Sequence, residues 1–166
     1  MTQPRQPKEL SSAVVDMLNN RLKDEYAAHF FYRNAANWCD DANYKKATAF
    51  FKQEAANELE HAEKLQKYIV SWNVIPTLPS VKPTITFTDL VDIINKAYVL
   101  EYDLFTKYNT DSVNIMSQDI TTFDFLRKLR EGQYESVVEY SDLLNALQLI
   151  DSSDKYQLLY FEQTYF

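Results

Sequence analysis

The 166-residue chain contains a single glycine, Gly132, and this scarcity constrains its fold more than any other feature. Glycine supplies the positive-φ positions that the tight turns between strands require, so this chain has few of them. Alanine, leucine, glutamate, lysine and glutamine, which favour helices, are plentiful instead. The composition therefore predicts an all-α fold made of long helices with few connections.

Apolar residues recur at helical spacing in four long segments and one short segment. The long helices are predicted at residues 12–38, 44–72, 89–115 and 121–148, and the short helix at residues 155–165. Ser12 and Thr88 are the expected N-caps of the first and third helices. A polar turn over residues 37–43 is expected to separate the first two helices, and a break at residues 151–153 precedes the fifth.

The connection between the second and third helices, residues 73–87, contains three prolines and no glycine. Proline fixes φ, so this segment is expected to be extended and stiff. Roughly fifteen extended residues reach about 45–50 Å, and a helix of some 29 residues is about 43 Å long. The linker can therefore run the length of a bundle and make helices two and three parallel. The sequence predicts a four-helix bundle with one long crossover.

Length, charge and cysteine content limit the class of protein. The chain fits one domain over residues 1–166, with 1–11 a flexible N-terminal segment and 153–166 the short last helix. A formal net charge of −7 argues against nonspecific nucleic-acid binding, and suits either simple solubility or a cationic partner. No apolar run approaches about 18 residues, so no membrane span is expected. The lone Cys39 excludes an intrachain disulfide and fits a reducing cytosol.

Each long helix carries a carboxylate or an amide within its apolar stripe. These interruptions are Glu25, Glu58, Glu101 and Gln133, and each lies close to the midpoint of its helix. Because the rise per residue is constant, helix midpoints coincide whether neighbours run parallel or antiparallel. The four side chains are therefore expected to converge at the centre of the bundle, with His61 one turn from Glu58.

Several carboxylates buried without a basic partner would each cost several kcal/mol. Each could instead face solvent or pair with a cation, but no lysine or arginine interrupts these stripes. Bound metal ions would supply the missing charge. Carboxylates with one imidazole and no thiolate favour iron or manganese, and Glu58-x-x-His61 lets one helix offer both kinds of ligand. The sequence thus predicts a buried site for two metal ions.

These residues resemble the motifs of the bacterial-type non-haem ferritins, members of the ferritin-like di-iron carboxylate family. The motifs are Glu25 with Tyr32 seven residues on, Glu58-Leu-Glu-His61, Glu101 in Val-Leu-Glu, and Thr122-Phe-Asp-Phe-Leu126 leading to Gln133. The resemblance runs from about Leu18 to the C-terminus. It implies a ferritin-like four-helix bundle with a long crossover between helices two and three and a short fifth C-terminal helix. It also implies a homo-oligomeric, cytoplasmic shell of 24 subunits that stores iron.

The resemblance assigns the metal ligands. Glu25 and His61 would hold one iron ion, and Glu58 would bridge it to a second. Glu101 would hold the second ion. The implied reaction is ferroxidase activity, in which two Fe(II) ions are oxidised by dioxygen or peroxide and the Fe(III) passes to a mineral core.

The same resemblance gives roles to Gln133 and Tyr32, whereas Glu54 and His29 are considered because each lies one turn from a predicted ligand. Gln133 would orient a water or bound oxygen near the second iron, and Tyr32 would hydrogen-bond Glu101 or donate an electron, unless it is an ordinary core tyrosine. Glu54 would hand iron into the centre, or is a partly solvated carboxylate. His29 is expected to be a packing histidine. Leu59 replaces the haem methionine of bacterioferritins, so no haem is expected.

A third iron site found in several bacterial ferritins is not expected, because its equivalents include one carboxylate. These equivalents are Asn57, Gly132, Glu135 and Ser136. Two other functions use related bundles. A di-iron oxygenase would need a substrate pocket, which bulky phenylalanines leave little room for. A structural shell subunit or a DNA-shielding mini-ferritin would lack rapid Fe(II) oxidation.

Overall fold

The structure is a computed structural model and describes residues 10–80 and 85–166. It contains five α-helices: α1 (Ser12–Asp41), α2 (Lys45–Ser71), α3 (Leu90–Ile115), α4 (Ile120–Leu147) and α5 (Lys155–Tyr165). The described residues contain no strand, so the predicted all-α fold of four long helices and a short last helix is confirmed. The segment predicted to be flexible, residues 1–11, lies outside the described residues except for residues 10 and 11.

Side-chain oxygens cap the helices where the chain enters them. The side chain of Ser11, not Ser12, accepts the N–H of Val14 at 3.3 Å at the start of α1. At α3 the cap is Asp89, which accepts the N–H of Asp92 at 2.8 Å. The prediction of Thr88 was wrong because its own N–H donates to the side chain of Asp92, which places Thr88 one residue outside the helix.

The predicted turn over residues 37–43 was also wrong in extent, because α1 continues to Asp41. In the last turns of α1, Ala35, Ala36 and Cys39 continue the buried face of the helix at helical spacing. The polar residues there therefore lie on its exposed side. The chain reverses at Asn43, whose φ is 65°. Asparagine tolerates this left-handed conformation better than most residues, which suits it to a chain with one glycine.

The direction of the helices follows from contacts between them. Tyr68 Oη lies 2.8 Å from Thr122 Oγ1, and Tyr140 Oη donates to Glu54 at 3.3 Å, so α2 and α4 are antiparallel. A short turn at residues 116–119 makes α3 and α4 antiparallel as well. Helices α2 and α3 are therefore parallel, as the long crossover predicts.

The apolar core forms two clusters, one toward each end of the bundle. The first includes Phe51, Ile94 and Tyr140, and the second includes Leu18 and Leu126. On α2, α3 and α4 the polar residue of the stripe lies between the two clusters in sequence. The bundle therefore has an apolar layer at each end and a polar layer at its centre. In the described ranges, no helix combines the length and apolarity that crossing a membrane requires.

Helix α5 packs across the first apolar cluster and also caps another helix. Leu158 and Phe161 are buried against the bundle. The fully buried Glu162 accepts the N–H groups of Lys46 and Ala47 through Oε1, at 2.7 and 3.0 Å. These amides belong to the first turn of α2, whose own N-cap makes no side-chain hydrogen bond. A carboxylate at a helix N-terminus is favourable, so α5 stabilises the start of α2.

Candidate metal centre

Three of the predicted ligands come together at the centre of the bundle. One ligand atom each from Glu25, Glu58 and His61 can be chosen so that all three lie within 4.8 Å of one another. Nδ1 of His61 lies 3.3 Å from Oε2 of Glu58 and 3.6 Å from Oε2 of Glu25. Both carboxylates are buried, and the side chain of His61 is 21% exposed. The arrangement offers two carboxylates and an imidazole to one cation.

Glu101 lies beside this cluster, and both its oxygens are engaged by other side chains. The Tyr32 hydroxyl donates to Oε1, and the amide of Gln133 donates to Oε2. Gln133 Nε2 also lies 3.1 Å from the backbone oxygen of Glu101. All three residues are buried. The structure thus places Glu101, Tyr32 and Gln133 together as a second half of the polar layer.

Tyr108 also belongs to this layer, and the sequence analysis did not assign it. Its hydroxyl donates to Oε1 of Glu25, and the residue is fully buried. A signal for it is present in the sequence, because Tyr108 follows Glu101 by the same seven residues that separate Tyr32 from Glu25. That spacing is two helical turns and keeps both residues on one face.

Oε2 of Glu25 is buried and has no hydrogen-bond partner. The other buried side-chain atoms without partners, among the described residues, belong to Arg21, Asp111 and Ser112, on α1 and α3. Arg21 is 9% exposed and lies 3.1 Å from Asp24 and 3.5 Å from Asp111. A buried carboxylate oxygen without a hydrogen-bond donor is unfavourable unless a cation occupies the position of the missing donor. This atom is therefore suited to be a metal ligand.

Burial and mutual repulsion control protonation in the cluster. Burial and the charge of Glu25 raise the pKa of Glu58 well above its ordinary value, and the hydrogen bond with His61 lowers it only in part. Burial also raises the pKa of Glu101 to about 7. Burial disfavours a charged His61, but the neighbouring carboxylates of Glu25 and Glu58 outweigh it and raise the pKa of His61 to about 10. Without metal, a charged imidazole therefore partly balances the carboxylates, and cation binding must displace its proton.

The raised pKa of Glu101 predicts how the stability of the metal-free protein depends on pH. A carboxyl group with a folded pKa of about 7 and an ordinary value of 4.5 favours folding below pH 4.5, and this stabilisation is lost as pH rises through 7. Relative to wild type, Glu101→Gln should therefore gain up to about 3 kcal/mol between pH 4.5 and 8. Urea unfolding in chelator at both pH values measures this, with the exposed Glu131→Gln as control. Parallel pH profiles for wild type and Glu101→Gln would contradict the assignment.

Glu54 lies one turn from Glu58 on the wall of a cavity of about 230 Å³. It is buried, accepts a hydrogen bond from Asn57 at 3.0 Å and another from Tyr140. Burial and the charge of Glu139 raise its pKa. The cavity is also lined by Glu58, His61 and the residues at the third-site positions: Asn57, Gly132, Glu135 and Ser136. Glu58 and His61 of the cluster therefore border a polar cavity between α2 and α4.

His29 lies outside the cluster. Its Nδ1 is 2.6 Å from the backbone oxygen of Ala55 on α2. The ring is partly exposed and packs edge-on against Phe30 at 5.1 Å between centroids. The structure thus gives His29 a contact between α1 and α2 rather than a place among the ligands.

Comparison with known proteins identifies the family. A family model described as a ferritin-like domain matches residues 15–150. The chain is 29% identical over 143 residues to the bacterial non-heme ferritin of Campylobacter jejuni, across 85% of this chain and 86% of that protein. It is 25% identical over 146 residues to that of Escherichia coli O6:H1, across 87% and 88% of the two chains. The chain belongs to the ferritin family.

Solved structures share the fold. An open pore ferritin from the archaeon Archaeoglobus fulgidus matches with a TM-score of 0.88 and 21% identity, covering 95% of this chain and 98% of that one. A ferritin from Chlorobium tepidum matches with a TM-score of 0.82 and 24% identity, covering 93% and 95%. At such identities the likeness establishes the arrangement of helices alone.

Proposed function

We propose that this chain is an iron-storage ferritin subunit with ferroxidase activity. Two Fe(II) ions bind at the bundle centre as substrates, are oxidised by dioxygen or peroxide, and leave as Fe(III) for a mineral core. The observation that carries the proposal is the buried cluster of Glu25, Glu58 and His61, in which one carboxylate oxygen has no partner. The curated relatives named bacterial non-heme ferritins support the storage role.

The two ends of the cluster take different parts in binding. Glu25 and His61 hold the first Fe(II), and Glu58 belongs to the same cluster. Glu58 bridges to a second Fe(II), which Glu101 binds. Placing two ions side by side lets both deliver an electron to one oxygen molecule. With dioxygen, two Fe(II) and two protons yield two Fe(III) and one hydrogen peroxide.

Gln133 and Tyr32 control the second half of the centre. Both donate to Glu101, so each oxygen of that carboxylate already accepts one hydrogen bond. When Glu101 turns toward the second ion, Gln133 can instead orient a water or an oxygen species beside that ion. Tyr32 keeps Oε1 fixed and is the residue best placed to supply a further electron.

Product leaves toward the α2–α4 face in this proposal. Glu54 lines the polar cavity beside Glu58 and His61 and offers a carboxylate for transfer of iron. The wall also carries Glu60, Glu135 and Glu139. An amide, a glycine and a hydroxyl occupy three of the four third-site positions, so no third permanent site is proposed there.

Assembly and location complete the proposal. The exposed face of α5 carries Tyr156, Leu159 and Tyr160, which are 86%, 46% and 68% exposed. Such an apolar face fits contacts among copies of the chain. We place the chain in a homo-oligomeric 24-subunit shell in the cytoplasm, with no nucleic-acid or membrane partner.

A single set of measurements tests the proposal. Metal-free protein is titrated anaerobically with Fe(II), then mixed with dioxygen in a stopped-flow instrument while its assembled mass is measured by light scattering. We expect two Fe(II) bound per chain, rapid oxidation without any added electron donor, and the mass of a large shell. A small oligomer that turns over only with a donor and an organic substrate would indicate a di-iron oxygenase. A shell without rapid oxidation would indicate a structural subunit.

A further inference from the structure

Two buried tyrosines connect the carboxylates of α1 and α3 in a crossed arrangement. Tyr32 follows Glu25 by seven residues on α1, and Tyr108 follows Glu101 by seven residues on α3. Tyr32 donates to Glu101, and Tyr108 donates to Glu25. Each helix therefore supplies one carboxylate to the centre and holds in place the carboxylate of the other helix.

The carboxylates of Glu25 and Glu101 differ in how many of their oxygens are free of hydrogen bonds and so available to a cation. Both oxygens of Glu101 accept hydrogen bonds, one of them from Gln133. Only Oε1 of Glu25 is engaged, by Tyr108, whereas Oε2 has no hydrogen-bond partner and lies 3.6 Å from Nδ1 of His61. The Tyr108 hydroxyl thus fixes which oxygen of Glu25 faces the neighbouring ligands.

The surroundings of Tyr108 leave it little freedom to move away. It is fully buried within the apolar cluster that contains Leu22 and Leu104. Its ring therefore acts as a rigid support, and its hydroxyl has one acceptor, Glu25. Removing the hydroxyl would leave Oε1 of Glu25 as a second buried acceptor without a donor, which favours rotation or protonation of that carboxylate.

We propose that Tyr108 is a positioning residue that presents Glu25 to the cation through a single oxygen and so sets the affinity of the Glu25–Glu58–His61 side of the centre. The inference rests on the proposed function. Tyr108 then supports the ligand of the first cation, and Tyr32 supports the ligand of the second. Hydrogen bonds that orient a ligand are worth about 10–100-fold in metal affinity in other proteins.

Cobalt(II) is a suitable probe, because its visible absorption reports coordination and it does not react rapidly with dioxygen. The assembled, metal-free full chain is titrated with Co(II) by calorimetry and absorption. We expect Tyr108→Phe to weaken the tighter binding event about 10–100-fold and to change the intensity of its absorption, because Glu25 is free to offer both oxygens. Tyr32→Phe should weaken the other event and leave the tighter one unchanged. Wild-type binding by Tyr108→Phe, or equal weakening of both events, would overturn the inference.

Two further variants separate positioning from a general structural effect. Tyr68→Phe removes a hydroxyl that bonds Thr122, away from the centre, and should leave Co(II) binding unchanged. In a double-mutant cycle, Glu25→Gln and Glu25→Gln/Tyr108→Phe should bind Co(II) alike, because Tyr108 acts through Glu25. If Tyr108→Phe does not assemble, Tyr108→3-fluorotyrosine keeps the ring and hydroxyl and should shift the absorption of the tighter event, and an unchanged spectrum would overturn the inference.

The outcomes distinguish this inference from the proposed function. If wild type binds two Co(II) ions and oxidises Fe(II), but Tyr108→Phe behaves as wild type, only the role of Tyr108 is wrong. If wild type binds no Co(II) or Fe(II) at the centre, both proposals fail together.

Discussion

Glu58→Ala should reduce the rate of Fe(II) oxidation by at least about 100-fold, the largest effect expected of any single substitution in this chain. Glu58 lies in the cluster with Glu25 and His61, and in the proposed function it bridges to a second ion held by Glu101. Without it, the two Fe(II) ions lose their shared ligand and are no longer held side by side, so both seldom deliver an electron to the same oxygen molecule. Stopped-flow absorption at two Fe(II) per chain measures the loss.

Glu131→Ala is the matched control for this experiment. Glu131 lies on α4, its side chain is 59% exposed, and it pairs with Arg127 at 3.0 Å. Its removal should change the oxidation rate less than twofold, because a solvent-exposed pair contributes little. Native oxidation by Glu58→Ala, or equal losses in both variants, would show that the bridge is assigned to the wrong residue.

Removing residues 154–166 should lower the melting temperature by roughly 10 °C, through the loss of several kcal/mol of packing and capping. The deletion exposes the pocket of the fully buried Phe161 and removes the contact of Phe166 with Phe50, whose ring centroids are 5.0 Å apart. It also removes the Glu162 carboxylate that accepts two N–H groups at the start of α2. Calorimetry on the truncated and full-length chains measures the difference.

A second variant separates stability within one chain from assembly. Leu159→Ser/Tyr160→Ser changes the exposed face of α5 but keeps Phe161 and Glu162. It should reduce the assembled mass while each chain keeps most of its secondary structure at room temperature. A truncated chain that melts at the wild-type temperature would show that α5 does not support its own bundle.

The sequence was sufficient to predict the bundle and the convergence of its polar layer. Glu25, Glu58 and Glu101 could be placed together because helix midpoints coincide under any pairing of directions. Tyr108 could not be assigned in the same way. A tyrosine on an apolar stripe is usually a core residue, and the acceptor of its hydroxyl depends on how α1 and α3 pack.

Two other residues depended on contacts that the sequence places far apart. An arginine on a helix is usually exposed, yet Arg21 of α1 is 9% exposed and lies 3.5 Å from Asp111 of α3. From the sequence, Glu162 would be expected on the polar side of the last helix. The backbone N–H that it accepts belongs to Lys46, 116 residues earlier. Neither pairing has a local signal, because each requires the packed helices to exist first.

The end of α1 was misplaced for a local reason. Residues 37–43 contain two asparagines and two aspartates, a composition typical of turns. Cys39, however, continues the buried stripe of α1 and keeps the segment helical as far as Asp41. Periodic burial outweighs the preference of the polar residues, which then lie on the solvent side.

The contact between Glu162 and α2 makes the backbone amides of Lys46 and Ala47 reporters of events in α5. Their protons exchange with solvent only when the first turn of α2 opens or when α5 lifts away. In hydrogen–deuterium exchange, a transient departure of α5 would therefore appear as faster labelling at a peptide more than a hundred residues distant. Both ends of this contact should label at matching rates, so the motion of the last helix can be followed from within the second.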